Sequence, residues 1–257
     1  MKLYYKDYEL PSFQVNDNGY LLPWDENINN YVLNNLNYHS DTMSDVIINT
    51  EDNDAYFMEA NILSKINLNE EGYFNFNKAI IDIGAYVGCY SFRSFFKYVY
   101  AFEPNKIMFT CLNMNLLIHN KLKYSKTFNV LLSDKKEDIN YDGMATYLAD
   151  INAPFNKQDS QIVKSNILDE FNCENVGLIK IDVEGMEEKV LRGGLGTIIR
   201  NNYPPILFEC WEIGWNGMTR EKQDSMKYFL NNLGYTILWN WGDNETHLAI
   251  HKSFYNK

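Results

Sequence analysis

Ala79-Ile80-Ile81-Asp82-Ile83-Gly84-Ala85-Tyr86-Val87-Gly88, followed one helix length later by Tyr100-Ala101-Phe102-Glu103-Pro104, decides the fold of this chain. A short apolar run stops at a glycine turn, a helix follows, and a second apolar run ends in an acid. That order is the first βαβ unit of a doubly wound parallel sheet. In such a unit, ligands sit at the carboxyl ends of the strands, and an acid closing the second strand is placed to accept hydrogen bonds from two ribose hydroxyls. Glu103 is that acid. The stretch therefore predicts a nucleoside-cofactor site.

The residues inside the turn choose among cofactors. A dinucleotide needs glycine at the second and third places of G-x-G-x-x-G, because the backbone must approach a pyrophosphate and the helix must press on the strand. Tyr86 and Cys89 hold those places here. Asp82 would repel a pyrophosphate, yet it suits the ammonium of a methionine moiety, held directly or through water. The combination favours S-adenosylmethionine. The cofactor-binding candidates are Asp82, Gly84, Ala85, Tyr86 and Gly88 in the turn, Ser91 in the helix after it, and Glu103 with Pro104 at the second strand end.

Outward from this unit, strands and helices alternate. Strands are expected at 79–83, 98–102, 127–132, 176–181 and 205–208, and helices at 88–96, 105–118, 186–191 and 220–233. Tyr235–Leu238 and His247–Ile250 form a closing antiparallel pair. Residues 134–165 are polar and irregular, read as a hairpin and loop before a short helix near Ile167–Phe171. The expected architecture is α/β: a doubly wound, seven-stranded, Rossmann-like sheet of the class I methyltransferase type with a terminal antiparallel hairpin. Residues 1–78 read as a helical extension and possible substrate cap, with short helices around Tyr31–Leu33 and Ala55–Ile66, and residues 79–257 as the catalytic domain.

At 257 residues and 46% hydrophobic content, the chain can bury a sizeable core. Its net charge of −11 argues against wrapping a nucleic-acid backbone, which takes clustered Lys and Arg. Met1–Glu9 lacks the apolar core of a signal peptide and no run reaches transmembrane length, so the expectation is a cytoplasmic protein without a membrane span. Cys89, Cys111, Cys173 and Cys210 show no C-x-x-C pairing and are expected as reduced thiols. Nothing in the sequence fixes an oligomeric state, and a homo-oligomer stays open.

Acids at strand ends mark the rest of the site, and this chain has four: Asp82, Glu103, Asp182 and Glu209. Asp182-Val183-Glu184-Gly185 puts two carboxylates at one strand end with a glycine to turn the chain. Ile179–Glu187 and Val190–Gly193 resemble the FkbM family of S-adenosylmethionine-dependent methyltransferases. The resemblance extends to Asp82–Gly88, to Phe102-Glu103-Pro104, to the asparagine-containing helix end Asn113–Asn120 and to Leu132-Ser133-Asp134, over about residues 79–210. It implies that Asp82, Gly84 and Gly88 surround the methionine part, Glu103 the ribose, and Ser133 with Asp134 the adenine edge. Asp182 belongs to both the cofactor side and the acceptor side.

Family resemblance also implies O-methylation, often of hydroxyls on sugars or on polyketide-type rings, and the expected acceptor is a carbohydrate such as a nucleotide sugar or a surface-glycan precursor for capsular polysaccharide biosynthesis. A hydroxyl is a weak nucleophile, so a carboxylate or imidazole must take its proton as the new bond forms. The candidates are Asp182, Glu184, Glu209 and His247. His247 is either this base or a structural histidine in the last strand. Asp182, Glu184 and Glu209 holding a divalent cation is an alternative, although no metal is assigned. Trp211 and Trp215 are candidates for stacking on a sugar, with core packing as the other role. The competing functions are N-methylation of a small phosphorylated amine and cofactor binding without turnover.

Overall fold

Val176–Ile181 is the longest of the main strands that the sequence leaves almost wholly apolar, and all six of its residues are buried, as are the five of Ala79–Ile83. Strands buried on both faces belong at the centre of a parallel sheet. The computed structural model, which describes residues 4–5, 8–9, 13–15, 21–23, 54–141, 161–214 and 218–255, puts them there. Its main elements are α1 (Asp54–Leu68), β1 (Ala79–Ile83), α2 (Cys89–Arg93), β2 (Tyr98–Phe102), α3 (Lys106–Ile118), β3 (Ser125–Phe128), β4 (Val176–Ile181), α4 (Glu187–Gly193), α5 (Leu195–Arg200), β5 (Ile206–Glu209), α6 (Arg220–Asn232), β6 (Tyr235–Leu238) and β7 (Thr246–His251). The seven strands lie in the order β6-β7-β5-β4-β1-β2-β3. Pairing is parallel from β5 to β3, and β7 is antiparallel to both β5 and β6.

Alternation along the strands divides the core in two. Ile80, Leu178, Leu207, Leu248 and Ile250 pack beneath α1, α2 and α3. Ile81, Ile83, Ile179, Ile181, Ile206 and Phe208 pack beneath α4, α5 and α6. This is the doubly wound, Rossmann-like α/β sheet expected, with its terminal hairpin. All four cysteines are buried and none is in a disulfide. No helix among the described residues is long and apolar enough to cross a membrane.

Three departures from the expected elements have identifiable causes. The helix read as 88–96 stops at Arg93, where Ser94 turns extended and Phe96 dives into the core. The strand read as 127–132 is cut in two. Asn129 Nδ2 donates to the carbonyls of Glu103 and Pro104, each at 2.8 Å, and Leu131–Leu132 leaves the main sheet to pair with Gln161–Asn166. Asp138–Tyr141 completes that smaller sheet, and residues 142–160 of the expected loop lie outside the described residues. A second helix, α5, follows α4. Its amides at Gly196 and Thr197 donate to the Asp169 carboxylate, a cap supplied from far away in sequence and therefore without a local signal.

Before the sheet, the described fragments pair as strands, Tyr4–Tyr5 with Tyr8–Glu9 and Phe13–Val15 with Leu21–Pro23, where only helices were anticipated. The expected helix at Tyr31–Leu33 lies outside the described residues. The one around Ala55–Ile66 is α1, and its Ile62, Leu63 and Ile66 are buried in the same core as β1 and β7. A boundary at residue 78 thus separates α1 from the sheet face it covers.

Candidate active site

The turn after β1 is stitched to the end of β2. Gly84 and Ala85 donate their amides to the Phe102 carbonyl at 3.0 and 3.1 Å, and the Tyr86 amide donates to Glu103 Oε2 at 2.8 Å. Gly84 has φ +70, and a Cβ there would lie 1.7 Å from the Asp182 carbonyl oxygen, so a bare backbone is what lets the turn touch the end of β4. Gly88, at φ +94, is pressed against Leu112 of α3, and Asn115 from that helix donates to the Val87 carbonyl at 2.9 Å. Tyr86 adopts φ +50 in the place a dinucleotide turn gives to glycine.

Glu103 is 5% exposed, and its second oxygen, Oε1, accepts from the Asn105 amide at 2.7 Å. Burial pushes its carboxyl up to about 7, against the pull of the two amides. Each oxygen keeps a lone pair beyond its amide bond, which is what two ribose hydroxyls require.

Asp82 is fully buried. Its Oδ2 accepts from Ser91 Oγ at 2.6 Å, while Oδ1 has no hydrogen-bond partner. Burial drives its carboxyl upward. The charge opposite it is Lys180, its register partner on β4, whose Nζ lies 3.7 Å from Asp82 Oδ1 and 3.4 Å from Asp182 Oδ2 and donates to the Gly84 carbonyl at 3.0 Å. Lys180 was not among the expected site residues, yet it joins the glycine turn to the acceptor-side acids. A lysine in a strand otherwise made of buried apolar residues was the available signal.

Asp182, Glu184 and Glu209 converge, each offering a carboxylate oxygen within 4.8 Å of the others. Register explains two of them: Ile181 pairs with Phe208 in parallel, so the next residue on each strand emerges side by side. Glu184 (φ +57) and Gly185 (φ +92) bend the chain back to bring in the third. Glu187, also missed as a site residue, fixes that bend, because its Oε1 accepts from the amides of Val183 and Gly185 at 3.0 and 3.1 Å. Burial raises Glu187 to about 7. Glu209 is raised well above the usual carboxylate range, first by burial and then by the charges of Asp182 and Glu184.

His247 has a different place. Its Nδ1 accepts from the Asn240 amide at 2.9 Å, which leaves Nε2 to carry the proton and donate to the Cys210 carbonyl at 3.0 Å. Both ring nitrogens are engaged by backbone, burial holds the ring below the usual imidazole range, and no lone pair is left to take an acceptor's proton. Trp211 is buried with its ring against Gly185, and Trp215 lies outside the described residues. Ser133 and Asp134 are held by other contacts: the buried Ser133 donates its amide to the Asn166 carbonyl at 2.9 Å and its hydroxyl to Asp134 at 3.2 Å. Pro104 offers its carbonyl to Asn129.

The methyltransferase FkbM domain family matches residues 82–237, from within β1 to within β6. The chain belongs to the FkbM methyltransferase family. Among solved structures it is similar to a methyltransferase FkbM from Methylobacillus flagellatus KT, at 17% identity and TM-score 0.49, over 73% of this chain and 47% of that one. The present chain thus spans about half the length of that relative. It is also similar to a putative caffeoyl-CoA O-methyltransferase from Staphylococcus aureus (15% identity, 87% of this chain and 99% of that one, TM-score 0.48) and to the SAH-bound Podospora anserina methyltransferase PaMTH1 (13%, 91% and 99%, TM-score 0.47). No curated protein matches the sequence.

The FkbM site fits S-adenosylmethionine on its own chemistry. Glu103 has lone pairs for a ribose, Asp82 Oδ1 is a buried oxygen without a hydrogen-bond partner, and Asp82 and Asp182 share the ammonium of Lys180, a negative balance between these three groups that suits a ligand bearing a sulfonium and an ammonium.

Proposed function

We propose that the chain transfers a methyl group from S-adenosylmethionine to a hydroxyl of a carbohydrate, such as a nucleotide sugar or a capsular or other surface-glycan precursor. The observation that carries this reading is the convergence of Asp182, Glu184 and Glu209 at the carboxyl ends of β4 and β5, against the Gly84 turn. When bound, S-adenosylmethionine supplies an electrophilic methyl on a sulfonium. The chain must then hold an acceptor oxygen in line with that methyl and accept its proton.

A hydroxyl-rich acceptor presents donors, and three carboxylates present acceptors. Glu209, whose carboxyl burial and the charges of Asp182 and Glu184 raise well above the usual range, is the strongest proton acceptor of the three. A binding protein without turnover has no use for a proton acceptor on this side.

Labelled S-adenosylmethionine offered with a panel of nucleotide sugars and of phosphorylated aminoalcohols tests the acceptor. Methyl ethers on the sugars support the reading, and methylation of the amines alone refutes it. On the cofactor side, Glu103→Gln replaces one acceptor oxygen with a donor; S-adenosylhomocysteine should bind about 10–100-fold more weakly by calorimetry, with an unchanged circular-dichroism spectrum.

A further inference from the structure

A lysine is almost never buried unless its charge is answered, and Lys180 is the only buried lysine or arginine among the described residues. Its Nζ is held from several sides at once. It donates to the Gly84 carbonyl at 3.0 Å, lies 5.0 Å from the centre of the Tyr90 ring, and approaches one oxygen of Asp82 at 3.7 Å and one of Asp182 at 3.4 Å. The two carboxylates differ in what a ligand can reach. The Asp82 side chain is 0% exposed and that of Asp182 38%.

Asp82 is enclosed by the chain itself, with Ser91 Oγ donating to Oδ2 and the Lys180 ammonium facing Oδ1. A ligand entering from solvent therefore meets Asp182. An ionised carboxylate has about four acceptor positions, so the approach of Lys180 to Oδ2 leaves room for a second donor. A partly exposed aspartate left to itself spreads over rotamers, and each contact that confines it must offset that lost freedom. An ammonium already fixed in the interior is suited to that confinement, as a supporting group behind a binding residue.

We propose that Lys180 is a positioning residue of the donor site: anchored on Asp82 and on the Gly84 carbonyl, it holds the Asp182 carboxylate for the α-ammonium of S-adenosylmethionine. Asp82 then acts on the cofactor without touching it. The inference rests on the reading of S-adenosylmethionine as donor and deepens it.

The test is calorimetry on the full chain with two ligands, S-adenosylhomocysteine and its analogue in which hydrogen replaces the α-amino group. The ratio of their affinities reads the ammonium contact. In the unaltered chain the amine should strengthen binding about 10–100-fold. Asp182→Asn should cut that ratio at least about fivefold, and so should the charge-balanced double variant Lys180→Met with Asp82→Asn. A merely structural loss of the glycine turn weakens both ligands equally and leaves the ratio unmoved. Asp82→Asn by itself leaves Lys180 beside Asp182 and should lower the ratio less than Asp182→Asn does. Lys180→Gln with Asp82→Asn, which keeps a donor in place, serves if the methionine variant does not fold. An unmoved ratio in Asp182→Asn or in the folded double variant overturns the proposal, as does an equal or larger loss in Asp82→Asn. S-adenosylhomocysteine that does not bind the unaltered chain overturns the donor reading itself, so the two failures are distinguishable.

Discussion

Replacing Lys180 with methionine removes the ammonium and keeps most of the stem. The side chain of Asp82 is 0% exposed and that of Lys180 7%, with 3.7 Å between their charges. At an effective dielectric of 20, such a pair attracts by about 4 kcal/mol. The Asp182 contact, at 3.4 Å, is discounted because that side chain is 38% exposed and screened by water. The Gly84 carbonyl also loses its 3.0 Å donor. Stranding a buried charge costs about 3–5 kcal/mol, a large part of the ~5–15 kcal/mol that keeps a domain folded. The expectation is that Lys180→Met loses about that much in urea unfolding followed by circular dichroism. Adding Asp82→Asn removes the stranded charge, so the double variant should recover at least ~2 kcal/mol relative to Lys180→Met. A loss below about 1 kcal/mol in the single variant, or simple additivity in the double, refutes the reasoning.

Acidity provides a second check. Glu103 and Glu187 sit at about 7 in the folded chain against 4.5 for the ordinary group, so the folded state keeps protons that the unfolded state releases as pH rises. Cofactor-free stability is then highest below about 4.5, as far as these two groups go, and is lost as pH rises through 7. The total is on the order of 3 kcal/mol per group at most, and thermal unfolding at pH 5.5 and 8 reads it. Stability that rises across this window contradicts the assignment. A pair of glycine substitutions separates strain from collision. Gly72 and Gly84 share φ +70, but a Cβ at Gly72 meets nothing within 4 Å. Gly72→Ala should cost about 1–2 kcal/mol in urea unfolding, and Gly84→Ala at least ~2 kcal/mol more; equal losses remove the close approach to Asp182 from the account.

Much of the frame is legible in short stretches of sequence. Ala79–Gly88 and Tyr100–Pro104 contain their own period, turn and terminal acid, so the unit that positions the donor can be read locally. What escaped was set by partners distant in the chain. α5 is capped by Asp169, the strand after Phe128 is diverted by Asn129, and Lys180 looks like a misplaced charge until β1 brings Asp82 opposite it. His247 shows the same limit. A histidine opening a strand beside an acid-rich region reads as a base, and only the positions of Asn240 and Cys210 give both its nitrogens backbone partners.

The sequence by itself determined the doubly wound sheet, the glycine turn and the acid that follows it, because each depends on residues a few positions apart. The tertiary structure decided which acids meet. Asp182, Glu184 and Glu209 become one cluster through strand register and a left-handed bend, and Asp82 is answered by Lys180 rather than left open. Charges interact through space at a few ångströms, and the sequence gives only their spacing along the chain.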